Sequence, residues 1–318
     1  MHLFITKLSL LALCILIIGC SDGPTSTLLL AKQGFLSADL STDGSKALIG
    51  SIHHGGSFWD LDKKERLFNW NHQSGKMSSL RAVAISKNGQ RAVTCEEDTL
   101  VLWDANSGEY KQFWKAEDRI LSIALNEKGD RALMGLRDGT VSYFDLDRGK
   151  TIYNFKHLAE VRSVSLSKDG LTGISASDDR TVKVFDLKTG TEIQTKTLNN
   201  QIKIIAISDS GNKVFATAQR EDSIIWNIAS DKILYKKHNR VTNYTAADFS
   251  DDEQFLSLGT FSGSIIRLDI NTGAELNKWQ AEPRQAYGGA SSKAIISLID
   301  NNKTISVLTS DGMFESFN

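Results

Sequence analysis

An apolar residue followed by Asp or Asn recurs seven times in this sequence, at Trp59-Asp60, Trp103-Asp104, Phe144-Asp145, Phe185-Asp186, Trp226-Asn227, Leu268-Asp269 and Phe317-Asn318. Successive pairs are 44, 41, 41, 41, 42 and 49 residues apart. A period of this length marks a repeat architecture, in which each unit is one supersecondary element that buries its apolar face only against its neighbours. An Asp-x-x-Thr-Gly turn follows several of the pairs, as at Asp186 to Gly190 and Asp269 to Gly273.

Within a unit the hydrophobicity alternates with a period of two, as strands with one buried face require. In the unit beginning at Val161, a first strand carries Val161, Val164 and Leu166, and Lys168-Asp169-Gly170 turns the chain. Leu171 to Ser177 is a second strand, Thr181 to Asp186 a third and Glu192 to Thr197 a fourth. The first turn recurs at Asp43-Gly44, Asn88-Gly89, Lys128-Gly129 and Ser210-Gly211. The expected fold is all-β: a seven-bladed β-propeller of four-stranded antiparallel blades. The seventh unit ends after its third strand, while Thr25–Ala31 is a spare strand ahead of the first unit. Placed as the outer strand of the last blade, it closes the ring and covers an open sheet edge.

The unit resembles the WD repeat, most closely at Ser175-Ala-Ser177-Asp178-Asp179 followed by Val182 to Asp186. The resemblance spans roughly residues 25–318, with Phe or Leu replacing Trp in four units. An alternative resemblance is to quinoprotein-like propellers, which include cofactor-dependent dehydrogenases and an outer-membrane assembly lipoprotein. In those repeats a Trp falls eight residues after the turn Asp, whereas Trp114 and Trp279 fall ten after Asp104 and Asp269. That offset ranks the WD-like reading first.

The N-terminal segment is of another kind. Leu8 to Ile18 is an apolar run of eleven residues, too short to cross a bilayer of about 30 Å and suited to a secretion signal. Ile17-Ile18-Gly19-Cys20 resembles the lipobox of bacterial lipoproteins. The resemblance implies a signal peptide over 1–19, lipid on Cys20 with acyl chains such as palmitate, a tether over 20–24 and a propeller over 25–318. Ser21 after the cysteine implies the periplasmic side of the outer membrane, the outer face of the cell membrane being the alternative. Of the 3 cysteines only Cys95 then remains in the body, on an apolar strand where a core role is expected.

With 37 basic and 38 acidic residues and no long run of like charge, the chain offers no basic face to nucleic acid. All histidines of the body except His53 and His54, namely His72, His157 and His238, fall between the outer strand of one unit and the inner strand of the next. One reading is a metal or catalytic cluster. The other, which the WD resemblance implies, is a structural hydrogen-bond network of His157 with Ser175 and Asp179. No phosphate-binding glycine loop, Cys-x-x-Cys or Gly-x-Ser-x-Gly is present, so neither catalysis, metal nor cofactor is expected. Two loops exceed the period, at 72–79 and 280–289, and long loops on a rigid scaffold are where binding concentrates. They nominate His72, Met77, Arg284 and Tyr287 as partner-binding residues. The expected function is that of a monomeric, membrane-anchored, non-catalytic scaffold for a protein partner. The alternatives are a quinoprotein-like cofactor or small-ligand binder and an outer-membrane assembly accessory lipoprotein.

Overall fold

The structure, a computed structural model, describes residues 23–51, 54–72, 78–238, 241–282, 284 and 293–318. Cys20, His53, Met77 and Tyr287 therefore lie outside the described residues, as do the signal peptide and most of both long loops. No helix occurs among the described residues; all regular structure is strand.

Among the described residues, twenty-eight strands form seven four-stranded antiparallel sheets. Six are built from consecutive strands, over residues 37–70, 82–115, 120–156, 161–197, 202–238 and 244–280, here blades 1 to 6. Blade 7 takes its inner three strands from 295–317 and its outer strand, Ser26–Leu29, from the N-terminus. Ser26 lies opposite Ser316 and Leu29 opposite Met313. Flanking hydrogen bonds extend the pairing, from Thr25 N–H to Ser316 O at 2.7 Å and from Leu30 N–H to Gly312 O at 2.9 Å. The ring closes where the inner strands of blades 7 and 1 pack together.

Local chemistry explains the hairpin from inner to second strand in blades 1, 2, 4 and 6. A Ser at the end of the inner strand bonds the turn residue two ahead and accepts the backbone N–H five ahead. Ser41, Ser86, Ser167 and Ser250 do so with Asp43 and Lys46, Asn88 and Arg91, Asp169 and Thr172, and Asp252 and Phe255. Such side-chain bonds hold the chain in a turn in place of a longer strand.

The core is divided into seven apolar clusters, each filling the gap between two adjacent blades. The repeated residue before Asp or Asn is the plug: Trp103, Phe144, Phe185, Trp226, Leu268 and Phe317 each pack against the preceding blade. A unit of this kind has no core of its own, which is why the period is so regular.

A second contact secures the outer rim. The turn glycines Gly108, Gly190 and Gly273, all with φ near +70°, lie against Phe68, Tyr153 and Tyr235 of the preceding blade. A Cβ on Gly108 would stand 2.3 Å from the Phe68 ring, so only glycine fits there. These three aromatics fall eight residues after Asp60, Asp145 and Asn227. The offset of eight is thus occupied in blades 1, 3 and 5, a pattern that the two tryptophans at ten concealed.

Candidate functional site

The inner strands of all seven blades line a central channel of about 390 Å³. Small side chains such as Ala38, Ala82, Ala124 and Ala206 keep it open, and two carboxyls of the inner strands themselves stand in its wall. Asp39 of blade 1 accepts the backbone N–H of Ile85 in blade 2 at 2.8 Å, and Asp248 of blade 6 accepts that of Asp300 in blade 7 at 3.0 Å. Each is a staple between neighbouring blades. Burial pushes the Asp39 carboxyl up to about 7 and that of Asp248 to about 8, against these bonds and the attraction of Lys87. At the mouth bearing the inner hairpins, Lys87 of blade 2 meets Asp209 of blade 5, a salt bridge that spans the channel.

The opposite face carries the histidines. His157 follows the outer strand of blade 3 and enters blade 4, where Nδ1 lies 3.0 Å from Asp179 Oδ2 and Nε2 lies 2.7 Å from Ser175 Oγ. Burial opposes ionisation of Asp179, but bonds from Thr181 Oγ1 and from the N–H groups of Leu158 and Thr181 hold it at about 2. An ionised carboxylate only accepts, so His157 donates from Nδ1 and accepts from Ser175 at Nε2. Burial lowers the pKa of His157, favouring this neutral form.

The order Ser-His-Asp is that of a hydrolase triad, yet the Ser175 and His157 side chains are fully enclosed. A nucleophile must reach a substrate carbonyl, and no approach to Ser175 exists among the described residues. His72 makes a parallel relay: Trp103 Nε1–H donates to Thr94 Oγ1 at 2.8 Å, Thr94 lies 2.9 Å from His72 Nε2, and His72 Nδ1 lies 3.1 Å from Thr99 Oγ1. Thr99 donates on to the carbonyl of Glu96.

The nominated residues thus separate. His157, Ser175 and Asp179 meet as one network. The His72 ring points into blade 2, and Arg284 Nη1 donates to the carbonyls of Lys32 and Asp311 at 2.8 and 2.9 Å. His238 remains exposed, 2.9 Å from Asp222 and 3.7 Å from Glu221. These three could hold a metal ion, but Lys236 already pairs with Asp222 at 2.8 Å. Asp39 and Asp248 escaped the sequence reading; the signal was a lone acid within an inner strand, as in Ser37-Ala-Asp-Leu40.

The chain was also compared with known proteins. A family model described as outer membrane protein assembly factor BamB matches residues 45–278, from the end of the first hairpin through blade 6. No curated protein matches the chain.

Proposed function

The chain belongs to the outer membrane protein assembly factor BamB family, and from that premise we propose that it is a scaffold in outer-membrane protein assembly, held at the periplasmic side by lipid on Cys20. The observation that carries this reading is the family match across six of seven blades, on a body whose only Ser-His-Asp arrangement is sealed among the described residues. The work of such a disc is preorganised contact. Blades locked by seven apolar interfaces have little freedom to lose on association.

Partner contact is assigned to the loops 72–79 and 280–289, on one face of the monomeric ring. His72 and Arg284 serve as roots, tied inward by Thr94 and Thr99 and by the carbonyls of Lys32 and Asp311. Met77 and Tyr287 are the proposed contacting side chains. Net charge of −1 suits a protein partner better than nucleic acid.

Photo-crosslinking in native membranes, with the probe at Tyr287 and separately at Met77, tests the proposal. A discrete partner belonging to the assembly machinery supports it. No crosslink from folded, abundant protein would overturn it, and visible absorbance in the purified chain would direct attention to a chromophore in the channel.

A further inference from the structure

We infer that the surface turned toward the bilayer is the rim of blades 6 and 7, so that the disc stands on edge and both of its faces stay free. The inference rests on the reading of Cys20 as the lipid-bearing residue. The N-terminal strand Ser26–Leu29 is the outermost strand of blade 7, so the chain reaches the body at its circumference. Thr25 is pinned there by bonds from its N–H and Oγ1 to Ser316 O. Ahead of it, a Cβ on Gly23 would lie 3.5 Å from Glu282 Oε1, two residues past the outer strand of blade 6.

From Cys20 to Thr25 are five residue steps, spanning at most about 18 Å. Strands in a sheet lie about 4.8 Å apart, so three spacings on each side put the rim of blades 3 and 4 about 29 Å or more from that of blade 7 before the channel width is added. The tether reaches one rim and not the opposite one. It would also permit a disc lying flat, but charged groups stand on each face. On one face the turn aspartates Asp104, Asp186 and Asp269 are bonded to the N–H groups of their own turns. On the other run the ion pairs Arg119–Glu97, Arg137–Asp118 and Arg162–Asp178. Lipid contact would strip these groups of water with no new partner to offset the desolvation. Near the tether the rim presents Leu29 and Leu276, both more than a third exposed, whereas the exposed Leu158, Val241 and Phe261 of the histidine-bearing face stand on three separate loops.

The test uses the full-length lipidated chain in vesicles of phosphatidylethanolamine and phosphatidylglycerol doped with a lipid bearing a headgroup nitroxide. Fluorophores are attached singly at Leu276→Cys on the blade 6 rim, Ile193→Cys on the blade 4 rim, and Leu158→Cys and Lys128→Cys on the two faces. Leu276 and Ile193 match in exposure at 49% and 50%, and Cys95 is buried and silent to labelling. Quenching several-fold stronger at Leu276→Cys than at Ile193→Cys, with both faces weaker than Leu276→Cys, is the expected result. Equal quenching at the two rims, or the strongest quenching on either face, overturns the orientation. Intact mass of the same sample separates the two ideas: lipid on Cys20 with equal quenching removes the orientation alone, and an unmodified Cys20 removes the anchor and the orientation together.

Discussion

His157 and His238 both close an outer strand on the same face of the ring, two blades apart, and end in opposite surroundings. The His157 side chain is 0% exposed and that of His238 is 46% exposed. His157 falls twelve residues after Asp145, and His238 falls eleven after Asn227. In register, His238 opposite Asp222 stands where Lys156 stands opposite Thr140. One residue is half the period of a strand, so the side chain leaves by the other face.

The receiving blades differ as well. Ser175 and Asp179 accommodate His157, whereas blade 6 carries Leu258 at the position of Ser175, and the neighbouring Ser257 donates to Asp300 of blade 7 at 2.7 Å. Asp300 also pairs with Arg267, whose Nη2 donates to Oδ1 at 3.1 Å. The buried polar anchor is a histidine between blades 3 and 4 and an aspartate between blades 6 and 7. Equivalent positions in a repeat carry equivalent chemistry only where spacing and partners both agree.

Four measurements would break or sharpen this comparison. Asp300→Ala leaves Arg267 buried without its carboxylate and should destabilise by about 4 kcal/mol, read as a denaturant midpoint; a loss below that of His157→Ala would reverse the ranking. His157→Ala leaves Ser175 without its partner, removes one bond from Asp179 and opens a cavity, and should remove about 3 kcal/mol; an unchanged midpoint would reduce the relay to decoration.

The third is a pH series. His157 has a folded pKa below its unfolded value of 6.5. The unfolded chain therefore binds the proton better, and the contribution of His157 is complete above pH 6.5 and declines below it, at up to about 1.4 kcal/mol per pH unit. Asp39 and Asp248 act in the opposite sense. Their folded values, about 7 and about 8, exceed the unfolded 3.8, so their contribution is complete below 3.8 and is lost as pH rises toward 8. His157→Gln should flatten the acid limb, and Asp248→Asn should raise stability at pH 8 by about 1–2 kcal/mol, the channel being open to water. Melting curves from pH 4.5 to 8.5 check both, and a variant profile parallel to wild type would dismiss the corresponding group. Smallest is His238→Ala, expected within about 0.5 kcal/mol of wild type; a loss comparable to that of His157→Ala would mean the exposed cluster with Asp222 and Glu221 is structural after all.

Much of this was legible beforehand. The seven pairs announced seven blades because each supplies one interface plug, and Thr25–Ala31 announced closure because the last unit lacked a strand. His157, Ser175 and Asp179 were identifiable as a set only through the resemblance to the WD repeat, which implies a loop His meeting a strand Ser and a turn Asp. The docking aromatics Phe68, Tyr153 and Tyr235 were not recognised, since an offset of eight is visible only once Gly108, Gly190 and Gly273 are seen beneath their rings. Asp39 and Asp248 were hidden for a related reason: alternation shows that an inner-strand residue faces away from the core, but not that seven such strands enclose a channel.

Period, turn chemistry and alternation act over a few residues, so the sequence by itself determined the number of blades, the strands within each and the strand that completes the ring. Contacts between residues far apart in the chain depended on closure. Lys87 meets Asp209 across 122 residues, and Arg284 reaches the carbonyl of Lys32 across 252. No local pattern encodes such pairs, because they exist only when seven separately formed sheets are held at the angles that their packed interfaces impose.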